Sequence, residues 1–80
     1  MADIRNEVID IINKVCDTLQ LEPEHYSMPL RDVGVDSLDL SSILLELEEH
    51  FNIGIPEDDV EKLATIDRIV EYVTVQKGRE

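Results

Sequence analysis

The sequence predicts an all-α fold: a small four-helix bundle with a long first loop and a short third helix. Two patterns predict it. Apolar residues recur at spacings of three and four near both ends and in the middle of the chain, the period of helices that bury one face. Between these stretches lie Pro23, Pro29, Gly34, Gly54 and Pro56, which break helices and build turns. With no internal repeat and no low-complexity linker, residues 1–80 read as one domain.

Each element has its own signal. Ile4, Val8, Ile11, Ile12, Val15 and Leu19 share one face of a first helix over residues 4–19, with Asp3 as its N-cap. Residues 20–35 keep no period and form the long loop, with Leu21, Tyr26, Met28, Leu30 and Val33 available to pin it; loops of this length are usually functional. A second helix runs from Ser37 to about Phe51, with Asp36 as N-cap, Asp39 where a capping box has its acid, and Asn52 and Gly54 as stops. Pro56 with Glu57, Asp58 and Asp59 opens a short third helix ending near Leu63, because proline suits a first turn and acids there complement the helix dipole. Thr65 caps a fourth helix carrying Ile66, Ile69, Val70 and Val73, followed by a polar tail from Gln76 to Glu80.

Seven Lys and Arg against 19 Asp and Glu leave a formal charge of -12. Affinity for nucleic-acid backbones comes mostly from Lys and Arg, so this balance excludes nucleic acid and favours basic protein partners. A chain of 80 residues buries roughly 60–65% of its unfolded surface, enough for one core and not for a separate catalytic domain. No stretch approaches the roughly 18 apolar residues of a membrane span, and the N-terminus lacks a signal-peptide layout, so a cytoplasmic location is expected. Cys16 has no second cysteine to pair with, and its place in an apolar pattern suggests a core thiol.

The second helix has more leucines than one buried stripe needs. Leu40, Leu44, Leu47 and Phe51 face one side with Ile43, while Leu38 and Leu45 lie on another with Ser41 and Ser42 between them. Leu38 and Leu45 are read as a docking stripe; the alternative is a central helix buried all round. Charge is segregated too: residues 36–61 contain nine acids and no Lys or Arg, a one-sign surface suited to steering basic partners, or simply a solvated face. Asp32, Asp36 and Asp39 do not have the spacing of an EF-hand calcium loop.

Ser37 follows the N-cap, where a phosphate ester on its hydroxyl would meet free backbone N–H groups and the positive end of the helix dipole. The blander reading is an ordinary first-turn serine. A hydrolase reading fails on geometry: His50 sits 13 residues along the same helix, about 20 Å away at about 1.5 Å per residue, and Val35-Asp36-Ser37-Leu38-Asp39 is no nucleophile elbow. His25 and His50 read as surface residues.

The segment Gly34-Val35-Asp36-Ser37-Leu38-Asp39, then Leu47-Glu48-Glu49-His50-Phe51 and Ile55-Pro56, in that order, resembles the acyl carrier proteins. The resemblance extends to the first helix, the long loop and a closing helix ending in Glu71-Tyr72-Val73. It implies that Ser37 carries 4'-phosphopantetheine, transferred from coenzyme A by a magnesium-dependent phosphopantetheinyl transferase. It also implies that the chain is not an enzyme but presents acyl thioesters to acyltransferases, synthases or ligases with basic docking patches. Asp36, Leu38, Asp39, Leu45, Glu48 and Glu49 map onto the family's docking surface, with Glu57 and Glu61 extending it. Leu40, Leu44, Leu47, Ile55 and Leu63 are the family-implied lining of an interior that shelters the cargo, and a monomer is expected. The run Leu40-Ser41-Ser42-Ile43 departs from the Val-Glu-Leu run of fatty-acid-synthesis carriers, which points to a specialised carrier. The alternatives are an aminoacyl or peptidyl carrier, or an acidic adaptor that carries nothing.

Overall fold

The computed structural model describes residues 3–17, 19 and 21–78. The first helix, α1 (Ile4–Val15), starts where its cap places it, with Asp3 Oδ1 accepting the Arg5 N–H at 3.0 Å. It stops one turn earlier than the apolar spacing suggests. Cys16 leaves the helical region and donates its N–H to Ile12 O at 2.8 Å, and Leu19 lies beyond the helix, half-buried against the core. Periodicity does not separate an apolar residue on the next turn from one that folds back after the helix has ended. The neighbouring Thr18 and Gln20 lie outside the described residues.

The predicted loop holds two short elements, a 3₁₀ turn at Pro23–His25 and a one-turn helix, α2 (Leu30–Val33). Both are too short to show a period. His25 Nδ1 accepts the Glu22 N–H at 3.0 Å, and Leu30 N–H reaches across the fold to Ala64 O at 2.8 Å. Gly34, at φ 120°, ends α2 in a conformation that side chains disfavour, with Leu19 Cδ1 3.5 Å from where a Cβ would stand. Among the described residues there are therefore five α-helices rather than four, while the all-α class stands.

The long central helix is α3 (Ser37–Phe51); Asp36 Oδ1 accepts the Asp39 N–H at 2.8 Å, and Asn52 closes it in the left-handed region. The next helix, α4 (Glu57–Val60), is a single turn extended by Lys62 N–H to Asp59 O and Leu63 N–H to Val60 O, so the chain stays coiled to Leu63 although the α-helix ends at Val60. In α5 (Ile66–Gly78), Thr65 Oγ1 caps through the Arg68 N–H at 3.1 Å. This helix continues through Gln76 and Lys77, which the sequence assigned to a polar tail, because both residue types are good helix formers. Arg79 and Glu80 lie outside the described residues.

The core is where α1 meets α3 and α5, and Val8, Ile12, Ile43, Leu47, Ile69 and Val73 there are completely buried. Lys14–Glu46 and His50–Glu7, both at 3.3 Å, join α1 to α3, and Arg5–Asp67 at 3.4 Å joins α1 to α5. Such exposed pairs contribute about 0–1 kcal/mol each, less than one buried Leu or Ile side chain, so apolar packing holds the three helices together. Tyr26 O accepts the Asp67 N–H at 3.0 Å and pins the loop to the start of α5.

Asp59 anchors α4. Tyr72 Oη–H donates to its Oδ2 at 2.7 Å and Lys62 Nζ lies 3.2 Å from its Oδ1, and these two contacts hold its carboxyl below the usual value of 3.8. A carboxyl whose pKa is lower in the folded state contributes stability that is complete above its unfolded pKa and is lost as pH falls through the folded one. Thermal melts taken as pH falls from neutral to below 3.8 should therefore show a smaller loss of stability in Tyr72→Phe than in wild type, because the variant has less of the shift to lose.

Candidate functional site

Ser37 is the first residue of α3 and is exposed, following the extended Asp36. With Asp36 accepting from Asp39 N–H, and Leu40 N–H bonded to Asp36 O at 2.9 Å, the Ser37 and Leu38 N–H groups remain as the orphan donors of the helix start. Ser37 borders a cleft of about 480 Å³ floored by Leu30, Val35, Leu40 and Val60. Arg31, Asp36 and Glu61 border the same cleft.

Both histidines are committed away from Ser37. His50 is at the far end of the same 15-residue helix, paired with Glu7, and His25 Nδ1 is engaged by the Glu22 backbone. Among the described residues no base forms a hydrogen bond with the Ser37 hydroxyl, and no group of three His, Cys, Asp or Glu is arranged to hold a metal. No helix among the described residues is long and apolar enough to cross a membrane.

The leucines of α3 separate by exposure. Ile43, Leu44, Leu47 and Phe51 are buried, whereas Leu38 is 80% exposed and Leu45 is 58% exposed, so the helix is not buried all round. Leu45 and Glu48 border a second groove of about 600 Å³ between α3 and α4, together with Ser41, Glu57 and Glu61. Leu40 borders the Ser37 cleft, Leu44 and Ile55 border the second groove, and Leu47 and Leu63 are buried in the core. Glu49 is exposed beside these residues on α3.

Asp39 is half-buried, with its carboxylate beside the Cys16 thiol. Cys16 itself is half-exposed at the end of α1 rather than a core residue, because the helix ends there instead of carrying it inward. Partial burial pushes its thiol pKa up, and the charge and hydrogen bond of Asp39 push it further, with smaller contributions from Asp36 and Asp17. Both effects hold the thiol toward its protonated, less nucleophilic form.

The sequence reading missed Arg31, Val60 and Ala64 as neighbours of Ser37. They reach it from α2, from α4 and from the approach to α5, and no local pattern marks that convergence.

Comparison with known proteins agrees with this geometry. A family model described as phosphopantetheine attachment site matches residues 10–73. The chain is 38% identical over 76 residues to an acyl carrier protein of Amoebophilus asiaticus, covering 91% of each chain. It is 39% identical over 71 residues to the acyl carrier protein of Wolinella succinogenes, covering 85% of this chain and 93% of the relative. To the acyl carrier protein of Chlorobium luteolum it is 39% identical over 74 residues, 90% of this chain and 92% of the other. With a family model over most of its length and relatives matched nearly end to end, the chain belongs to the acyl carrier proteins, which carry acyl groups on phosphopantetheine for synthesis enzymes and are not themselves catalysts.

Proposed function

We propose that Ser37 is the residue that accepts the phosphopantetheine arm, and that the α3–α4 face delivers the loaded carrier to the enzymes of a dedicated cytoplasmic acyl-transfer pathway. The observation that carries this reading is the setting of Ser37: an exposed hydroxyl at the first position of a 15-residue helix, on the rim of an apolar cleft. The residues present fit the group. The hydroxyl is open to a transferase, and the orphan N–H donors and the helix dipole favour the phosphodiester that forms on it. In that step the Ser37 Oγ–phosphorus bond forms, the phosphoanhydride of coenzyme A breaks, adenosine 3',5'-bisphosphate leaves, and the transferase takes the hydroxyl proton. When attached, the arm supplies a terminal thiol that holds the acyl group as a thioester.

The chain's own contribution is presentation. Asp36, Leu38, Leu45, Glu48 and Glu49, extended by Glu57 and Glu61, combine an acid field that speeds encounter with a small apolar contact that limits residence time; Asp39 contributes charge from its half-buried position. A monomer leaves this face open. Ser41 and Ser42, exposed between the two leucines, replace the Val and Glu of fatty-acid-synthesis carriers and favour a specialised set of acyltransferases, synthases or ligases.

The test is intact mass after incubation with coenzyme A, magnesium and a phosphopantetheinyl transferase, with fragmentation of the product. A gain of one phosphopantetheine group on the peptide containing Ser37 supports the reading; no gain with two different transferases turns it toward an adaptor. Replacing Glu48 and Glu49 together by Lys should slow association with the transferase by about tenfold or more at low salt, with the difference shrinking as salt screens the field. Stopped-flow association measured against salt concentration checks this, with helicity unchanged as the control.

A further inference from the structure

We propose that Arg31 is the ion-pairing partner of the phosphodiester that joins the arm to Ser37, and that it holds the proximal end of the arm over the apolar cleft. This inference rests on Ser37 being the attachment residue. Arg31 and Ser37 border the same cleft, and the charged side chains sharing it are the acids Asp36 and Glu61. A phosphodiester on Ser37 adds a negative charge to a rim that already carries these two. From Asp36 to Glu61 the chain offers no Lys or Arg to offset that charge, so a compensating base must come from another segment. Among the described residues Arg31 is the one base bordering the cleft.

It is also uncommitted. Among the described residues Arg5, Lys14 and Lys62 are engaged with Asp67, Glu46 and Asp59, while Arg31 makes no ion pair and is exposed. Its backbone position is held from both sides: Leu30 N–H is bonded to Ala64 O at 2.8 Å, and the Gly34 and Val35 N–H groups close on Leu30 O at 3.2 and 3.0 Å before the chain enters the Asp36 cap. Thus α2 presents the guanidinium from a fixed platform beside the start of α3. The two non-bridging oxygens of a phosphodiester match the paired N–H donors of a guanidinium, which gives direction as well as attraction. Lysine at this position would keep the charge and lose the two-pronged geometry. The consequence is orientation, with the arm leaving Ser37 toward α2 and the cleft floor rather than freely into solvent.

The experiment compares apo and holo protein by NMR, following the Arg31 side-chain Nε–Hε resonance and the phosphorus resonance of the arm in wild type, Arg31→Gln and Arg31→Lys. Loading should move the Arg31 Nε–Hε resonance. The phosphorus resonance should shift and sharpen in Arg31→Gln as the linkage becomes more mobile, with Arg31→Lys intermediate and the wild-type difference fading at high salt. Because Arg31 is exposed, circular dichroism of both variants should match wild type. An Arg31 resonance that stays put, with a phosphorus signal unchanged in Arg31→Gln, overturns the proposal while mass spectrometry still shows the arm on Ser37. Failure of Ser37 to load removes the attachment reading and this inference with it.

Discussion

Ser37→Ala should abolish phosphopantetheine loading and leave the fold untouched. The hydroxyl is exposed and, among the described residues, makes no hydrogen bond in the structure, so the substitution removes the acceptor oxygen and no structural contact. Alanine is a good helix former, so α3 loses nothing at its first position. Intact mass should show no added group in the variant under conditions that fully load wild type, with coincident thermal melts. The neighbouring Asp36→Ala is the informative contrast. It removes the 2.8 Å bond to Asp39 N–H and should cost about 1 kcal/mol while leaving the acceptor hydroxyl in place. Loss of loading in the first variant with normal stability, and loss of stability in the second with loading slowed by the missing docking charge but still reaching completion, separates attachment from capping.

Leu47→Ala should be among the most destabilising truncations on α3. Its side chain is completely buried in the core where α3 packs on α1, and truncation leaves a cavity as well as losing apolar burial, about 2–5 kcal/mol together. A domain of this size has a total stability of about 4–12 kcal/mol, and each kcal/mol moves its melting temperature by about 4–8 °C. The variant should therefore melt at least about 8 °C below wild type, with a lower urea midpoint by circular dichroism. Leu45→Ala, two residues away and 58% exposed, should change stability by about 0.5 kcal/mol or less and weaken partner association instead. The two leucines are chemically identical, and only their side of the helix separates the two results.

That contrast marks how far the sequence could be read. Asp3, Asp36 and Thr65 all cap the helices that local chemistry assigned to them, since a cap is a contact between residues two or three positions apart. The all-α class followed from apolar spacing for the same reason. Element ends were less legible: Leu19 kept the helical period yet folded back on Gly34, and Gln76 and Lys77 looked like a tail but continue α5. The one-turn helix α2 had no signal in the sequence, because four residues span barely one period and the bond that pins it comes from Ala64. Cys16 looked like a core residue because it sits in an apolar pattern, and the early end of α1 left it half-exposed beside Asp39.

By itself the sequence determined the three long helices and their N-caps, the concentration of acids between Asp36 and Glu61, and the serine at the head of the central helix in a motif resembling the acyl carrier proteins. Tertiary structure alone decided that Leu38 and Leu45 face solvent while Leu44 and Leu47 are buried, and that Arg31, Val60 and Ala64 gather around Ser37. The physical reason is range. Helical period, capping and charge order are interactions among near neighbours and are written in consecutive residues, whereas a cleft forms where α2, α3, α4 and the approach to α5 meet, and that meeting is set by how their buried side chains pack.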